Sequence, residues 1–258
     1  MMGEDSIDVK KIINKVWKYW YLFAIIFSLF LFGGFSYLRH KSPVYEAEAL
    51  LLIKDEKDSG QLNEEAIFDE LGLGKKNKNL ENEIIILKSS PLMRTVVQNL
   101  KLQYIYEDLG GVRAEDLYKK SPVRVLNWEP RYEDTWFYAE LQPTANEKLI
   151  LEIKEDGDRI QYKGEFGIPL KLLFGTLTIA RIETRKIKNP IGISIIPTEA
   201  RAKDLAAILD VERTGEESSI LYLSIKDVAP VRARDIIMEL IKVYNQKTID
   251  DENHVYKN

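Results

Sequence analysis

The stretch 219-SILYLSIKDVAPVRARDIIMELIKVYNQ-246 carries two different spacings of apolar residues. Before the proline, Leu221, Leu223 and Ile225 recur at every second position, which predicts a strand with one buried face. After Pro230 the apolar residues recur every three to four positions, which predicts an amphipathic helix. The apolar stripe of this helix comprises Ala233, Ile236, Ile237, Leu240, Ile241 and Tyr244. A strand that leads directly into a helix indicates the α+β fold class.

The helix after Pro230 meets no stop signal, because neither glycine nor proline follows before Asn258. We therefore expect residues 230–258 to be the start of a long helix, and the chain to be a fragment cut inside it. Charged residues beside the stripe suit either subunit contacts or a solvated helix face. They are Arg232, Arg234, Asp235 and Glu239.

Helical spacing also runs through 79-NLENEIIILKSSPLMRTVVQNL-100, after a polar segment, 55–79, that is expected to be a loop. The first stripe consists of Leu80, Ile84 and Leu87. Glu81 and Glu83 are expected in the first turn, where a carboxylate interacts favourably with the positive, N-terminal end of the helix dipole. The segment therefore predicts a helix that begins near residue 79.

Ser90 and Pro91 predict that a second helix starts there, with serine as the cap and proline in the first turn. Its stripe consists of Met93, Val96, Val97 and Leu100. We expect two short helices that meet at a corner.

Strand signals fill much of the remaining chain. Residues 44–54 alternate between apolar and polar side chains, and residues 122–197 read mostly as β. Asp156 and Gly157 predict a tight hairpin turn, because such turns need a positive φ. Residues 198–210 return to helical spacing.

The most apolar segment lies near the N-terminus, where residues 19–38 contain no charged side chain. A helix of this length extends about 30 Å, the thickness of the hydrocarbon core of a bilayer. Aromatic and basic side chains lie at both borders of the segment, as expected at membrane interfaces. The predicted interface residues are Trp17, Tyr19, Trp20, Tyr37 and Arg39. The segment therefore predicts a transmembrane helix.

A cleaved secretion signal is the alternative, although its apolar core would be shorter and Gly34-Phe35-Ser36 is a poor cleavage motif. The residues before the span carry more positive charge than those just after it, so the positive-inside rule places residues 1–18 in the cytoplasm. The lysines concerned are Lys10, Lys11, Lys15 and Lys18. We expect residues 43–229 to form an extracytoplasmic domain.

Composition argues against several functional classes. No cysteine is present, which removes thiol catalysis and thiolate metal sites. The histidines, His40 and His254, are too few and too far apart in sequence for a histidine metal site. A net charge of −4 without a basic stripe argues against nucleic acid. The stretch 69-DELGLGKKN-77 lacks the glycine and the serine or threonine of a phosphate loop, at Asp69 and Lys76. We expect no cofactor, no metal and no catalytic residue.

The segment 127-NWEPRYEDTWFY-138 combines aromatic and acidic side chains. Trp128 and Trp136 are candidate glycan contacts. The favoured alternative is that the aromatic side chains bury area in the core while the acidic residues form a solvated turn. A pair of catalytic carboxylates is a third interpretation, but the spacing alone does not place two carboxylates across a glycosidic bond.

Three stretches resemble the chain-length determinant (Wzz) family of polysaccharide co-polymerases, in particular the N-terminal part of members fused to a bacterial tyrosine kinase. Residues 42–54 are similar to the strand outside the family's first span, and 80–102 to its "tEieiLkS" helix. Residues 219–246 are similar to its last strand and helix, although Ala229 replaces the usual aspartate and Met238 a common asparagine. Matching positions are Glu83, Leu87, Lys88, Ser89, Pro230, Ala233, Ile236, Leu240 and Tyr244.

This resemblance implies a periplasmic α/β domain, a long projecting helix, a second span after it, and ring-like homo-oligomers in the bacterial inner membrane. Residues 103–200 carry little of the motif and are expected to be an enlarged β region. The implied function is control of polysaccharide length beside the polymerase and export machinery, with any tyrosine kinase domain downstream in a longer parent. The alternative is an extracytoplasmic sensor or adaptor that binds a sugar-like ligand through residues 128–138.

Overall fold

The computed structural model describes residues 17–41, 43–53, 75–143, 148–155, 158–215 and 218–255. The chain divides into two compact units, Met1–Pro43 and Val44–Asn258, which are described separately. The first unit contains helix α1 at Trp20–His40.

The second unit combines helices with short antiparallel strands. Its helices are α2 at Lys75–Leu87, α3 at Ser90–Leu100, α4 at Thr198–Ile208 and α5 at Pro230–Val255, with a 3₁₀ turn at Tyr118–Lys120. Its strands are β1 at Tyr45–Leu52, β2 at Tyr104–Asp108, β3 at Glu115–Asp116, β4 at Val123–Pro130, β5 at Phe137–Leu141 and β6 at Lys148–Glu155. They continue with β7 at Asp158–Glu165, β8 at Leu170–Leu172, β9 at Gly175–Arg181, β10 at Ile191–Ile195, β11 at Leu209–Arg213 and β12 at Ile220–Asp227.

One hydrophobic core lies between the helices α2 to α5 and a three-stranded sheet of order β1-β12-β11, and we call it the α/β core. Strand β1 pairs antiparallel with β12, so that Leu51 lies opposite Leu221 and Ala49 opposite Leu223. Helix α5 packs against both strands, and α3 packs against α4 and α5. The predicted apolar stripes of the helices pack against the inner face of the sheet. Every second residue of each strand points to that face, so the strand stripes are buried there as well.

A second hydrophobic core lies between a six-stranded sheet, β3-β2-β10-β5-β6-β7, and a three-stranded sheet, β4-β9-β8, and we call it the β core. Tyr106 on β2 connects the two sheets, since its hydroxyl accepts a hydrogen bond of 2.8 Å from the backbone N–H of Val125 on β4. That N–H adjoins an irregularity in the pairing of β4 with β9, between Val125 and Asn127. A bulge of this kind frees a backbone donor from the ladder.

The β core is an insertion between α3 and α4 of the α/β core. Its strands from β2 to β10 cover residues 104–195, whereas the α/β core takes its elements from both sides of that range. The two ends of the insertion are neighbours, because the N–H of Ile196 donates to the carbonyl of Gln103 at 2.9 Å.

The predicted α+β fold is confirmed, with a candidate span at the N-terminus, several antiparallel sheets and a C-terminal helix. The strands around residues 45 and 221 and the predicted hairpin are present, the hairpin as the pair β6 and β7. Its turn, Asp156-Gly157, and the predicted loop up to residue 74 lie outside the described residues.

Three local predictions were wrong. Helix α2 begins at Lys75, so Glu81 and Glu83 lie beyond its first turn. Ser90 is the first helical residue of α3 and not its cap, because its hydroxyl donates to the carboxylate of Glu199 on α4 at 2.7 Å. The helix predicted over 198–210 ends at Ile208, since Leu209 onward pairs with β12 as strand β11.

Candidate functional site

Helix α1 has the length and composition of a membrane span. Within it, the 20 residues Trp20–Arg39 have a mean hydropathy of 1.9, and no other helix in the described part of the chain is both long enough and apolar enough to cross a membrane. Such a helix extends about 30 Å, which matches a bilayer core. The observed segment differs from the predicted span, residues 19–38, by one residue at each end.

The predicted interface aromatics lie at the two ends of this segment. Trp17, Trp20 and Tyr37 are exposed, and the ammonium of Lys41 lies 4.6 Å from the centre of the Tyr37 ring. A cation over an aromatic face suits the headgroup layer, because the apolar body of the ring contacts lipid while its polar edge contacts water. The interface role of these residues, with Tyr19 and Arg39, stays a prediction. Three of the four lysines used for the orientation lie outside the described residues.

The two tryptophans proposed for glycan contact have different environments. Trp128 on β4 is half-buried and packs against Phe137, with ring centres 5.0 Å apart. Trp136 lies in the β4–β5 connection and is 61% exposed, as Tyr132 is 70% exposed in the same connection. The core interpretation therefore fits Trp128, whereas Trp136 and Tyr132 present aromatic surface to solvent. The acidic residues between Tyr132 and Trp136 are Glu133 and Asp134, which are exposed in a turn.

A buried ionic network joins the α/β core to the β core. Arg232, in the first turn of α5, donates to both carboxylate oxygens of Asp227, at 2.8 and 2.7 Å. Its remaining terminal nitrogen donates to Asp116 on β3. The same carboxylate of Asp116 accepts the N–H of Tyr118, and the Tyr118 ring centre lies 5.9 Å from the guanidinium. Because β3 belongs to the β core, Arg232 fastens that core to the start of α5.

Burial and charge both act on this network. Desolvation by burial lowers the pKa of Arg232, but the hydrogen bonds and charges of Asp227 and Asp116 raise it more, so the net shift is upward. Desolvation raises the pKa of Tyr118, and the charge of Asp235 adds to the increase. The arginine is therefore held charged and the tyrosine neutral, which suits a structural connection.

The charged residues predicted beside the α5 stripe do not form a common free surface. Arg232 is buried, Asp235 pairs with Lys119 at 2.6 Å, and Glu239 accepts a hydrogen bond from Asn99 at 2.8 Å. Arg234 has an exposed side chain. The hypothesis that Arg232 contributes to subunit contacts is wrong, because its polar atoms are engaged inside the chain.

Residues 5–100 match the family model of the chain length determinant protein, Wzz. Over these residues the chain is similar to the Wzz family. The match confirms the resemblance seen in residues 42–54 and 80–102, and it includes α1 and the N-terminal part of the α/β core. The likeness of residues 219–246 lies outside the matched range. No curated protein matches the chain.

The structure explains one departure from the Wzz pattern. Ala229 stands where the family commonly has an aspartate, and it cannot cap α5 with its side chain. Asp227 takes over part of that role, since its carboxylate accepts the N–H of Ala229 at 2.7 Å while it binds Arg232. A carboxylate at the N-terminal end of a helix also interacts favourably with the helix dipole. The sequence did not predict this cap, because the family pattern places the aspartate directly before the proline, where Ala229 stands.

Proposed function

We propose that this chain is a membrane-anchored polysaccharide co-polymerase subunit that regulates the length and export of a surface or capsular polysaccharide without catalysing a reaction. The observation that carries the proposal is the Wzz match over residues 5–100. In this proposal residues 1–18 are cytoplasmic, 19–38 span the bacterial inner membrane, 43–229 form the periplasmic domain, and 230–258 begin a projecting helix. The partners are the polymerase and the export machinery.

The chain acts as a homo-oligomer in this proposal. Confinement to a membrane raises the effective concentration of each subunit, so weak lateral contacts suffice. The outer face of the β1-β12-β11 sheet offers such a contact, because Leu50 and Leu52 are 65% and 69% exposed. Leu50 lies opposite Tyr222 and Leu52 opposite Ile220, which makes an apolar patch on an edge strand. Exposed patches of this kind are typical of interaction surfaces.

The oligomer is tested with the full chain in lipid nanodiscs or mild detergent. Mass photometry is expected to show an assembly for the wild type and for the control Leu126→Lys, whose residue is 53% exposed on β4 of the β core. The double variant Leu50→Lys/Leu52→Lys is expected to dissociate. In cells it should also broaden the length distribution of the polysaccharide. A strictly monomeric wild type over a wide concentration range contradicts the proposal.

A second span and a cytoplasmic tyrosine kinase domain are further parts of the proposal, supported by the resemblance to kinase-fused members. The sequence of the parent gene after residue 258 tests both. We expect an apolar run of about 20 residues followed by a glycine-rich phosphate loop. A stop codon soon after residue 258 would contradict the kinase part and leave the Wzz assignment unchanged.

A sugar-binding sensor or adaptor is the second candidate function. It is favoured by the exposure of Trp136 and Tyr132 in the β4–β5 connection. A thermal-shift screen with neutral oligosaccharides tests it, since a bound ligand raises the melting temperature. Stabilisation that Trp136→Ala abolishes would support this function. Trp128→Ala is unsuitable as the primary test, because loss of its packing on Phe137 changes stability directly.

A further inference from the structure

A cavity of about 310 Å³ opens on the β core beside the ends of β2 and β10. Four of its lining side chains are cationic, those of Lys120, Arg185, Lys186 and Lys188, and one is acidic, that of Asp108. We call it the basic cavity. Its positive charge contrasts with the net charge of −4 for the whole chain.

The cations of the basic cavity are not neutralised by neighbouring carboxylates. Among the described residues, Lys120, Lys186 and Lys188 take part in no ion pair. Arg185 donates to two backbone carbonyls, those of Lys119 at 2.5 Å and Ser121 at 3.0 Å. These bonds hold the guanidinium in place, and no carboxylate in the described part of the chain forms an ion pair with it.

The single acidic residue is occupied by hydrogen bonds. Asp108 accepts from the side-chain amide of Asn189 at 2.9 and 3.1 Å and from the backbone N–H of Gly110 at 2.8 Å. Its position is therefore set by the loop before β10 and the turn after β2. An anion that enters the cavity is attracted by three lysines and an arginine. The walls of a cavity strengthen the summed positive potential of such residues.

We propose that the basic cavity binds an acidic saccharide unit, a sugar ring that carries a carboxylate or a phosphate. Its volume is at the lower end of ligand sites and suits one or two sugar rings. Lysines and an arginine are the side chains that recognise oxyanions, through charge-assisted hydrogen bonds. The saccharide part rests on the proposed function, whereas the anionic part follows from the cavity itself.

The experiment is calorimetric titration of the full chain in detergent at low and high ionic strength. The probes are a tetramer of galacturonic acid, glucose 1-phosphate, neutral maltotetraose and inorganic phosphate. The test variant is Lys186→Gln/Lys188→Gln, at two exposed positions where folding should be unaffected. The matched control is Lys163→Gln/Lys171→Gln, at exposed positions on β7 and β8 outside the cavity.

We expect the wild type and the control to bind at least one of the two acidic sugars, with affinity that decreases as salt increases. The test variant should bind that sugar at least tenfold more weakly, and maltotetraose should not bind. The tetramer and glucose 1-phosphate distinguish a carboxylate from a phosphate as the recognised group. Equal affinity in both double variants, or binding of inorganic phosphate alone, overturns the inference. An oligomer that regulates chain length but binds no acidic sugar would refute this site and leave the proposed function intact.

Discussion

The α/β core and the β core are both built from buried apolar side chains but are organised differently along the chain. The β core is continuous, from β2 at residue 104 to β10 at residue 195. The α/β core is discontinuous, and its central pair β1 and β12 joins residues near 50 to residues near 220. The family match stops at residue 100, the end of α3, where the insertion begins. The comparison teaches that the β core is inserted into the α/β core at two adjacent chain positions, Gln103 and Ile196, and is tied to α5 by the buried network of Arg232.

Removal of the β core is the strongest test of this comparison. Replacement of residues 104–195 by a short glycine-serine linker is expected to leave the α/β core folded, because Gln103 and Ile196 are already hydrogen-bonded neighbours. A shorter connection also reduces the entropy cost of joining β1 to β12. Circular dichroism should show the helices retained and the strand signal reduced by most of its value. An unfolded product would show that the two cores depend on each other.

Substitution of Arg232 tests the connection between the cores. Arg232→Ala leaves Asp227 and Asp116 as buried carboxylates without their cation, and loss of one partner of a buried ion pair costs about 3–5 kcal/mol. Chemical denaturation of the full chain in detergent should show a decrease of that size. Arg234→Ala is the control, since its exposed side chain should contribute less than about 1 kcal/mol. Hydrogen exchange should increase in β3 and at the start of α5, and an unchanged pattern there would contradict the connecting role.

Tyr106 tests how the two sheets of the β core are held together. Tyr106→Phe removes the acceptor of the Val125 N–H, and a buried donor left without a partner costs about 1–3 kcal/mol. The measurement is chemical denaturation at pH 7, with Tyr132→Phe as the exposed control.

The same tyrosine predicts a pH dependence. Burial raises the pKa of Tyr106 to about 12, and the Val125 hydrogen bond lowers it by a smaller amount. Its pKa in the unfolded chain is about 10, so the unfolded state loses its proton first. The contribution of Tyr106 to stability is therefore present below pH of about 10 and is lost as the pH rises to about 12. Tyr106→Phe should flatten the stability curve in that window, and an unchanged slope would contradict this origin.

Trp136 provides the smallest expected effect on stability. Trp136→Ala should change the free energy of unfolding by at most about 0.5 kcal/mol, because the side chain is mostly exposed. Trp128→Ala should cost more, since its ring packs against Phe137 in the β core. Denaturation of both variants checks the difference. Equal losses would mean that both tryptophans serve the core.

The amino-acid sequence alone determined the features that depend on short-range spacing. The apolar segment at 19–38, the stripe of α5, the strand ending at Asp227 and the β6–β7 hairpin were all predictable, because hydrophobic period and length are local properties. The Wzz resemblance in residues 42–54 and 80–102 was also visible in the sequence, and the family match confirms it.

The tertiary structure decided which polar residues are buried and which aromatic residues are free. Arg232 has the sequence surroundings of a surface residue, and only the approach of β3 places Asp116 beside it. The hydroxyl of Ser90 does not cap α3. It donates to the carboxylate of Glu199, on a helix more than a hundred residues away in sequence. The basic cavity likewise brings together Lys120 from the 3₁₀ turn before β4 and Lys188 from the loop before β10. These contacts join residues that are distant in sequence, and the local spacing of apolar residues does not show which distant residues will meet.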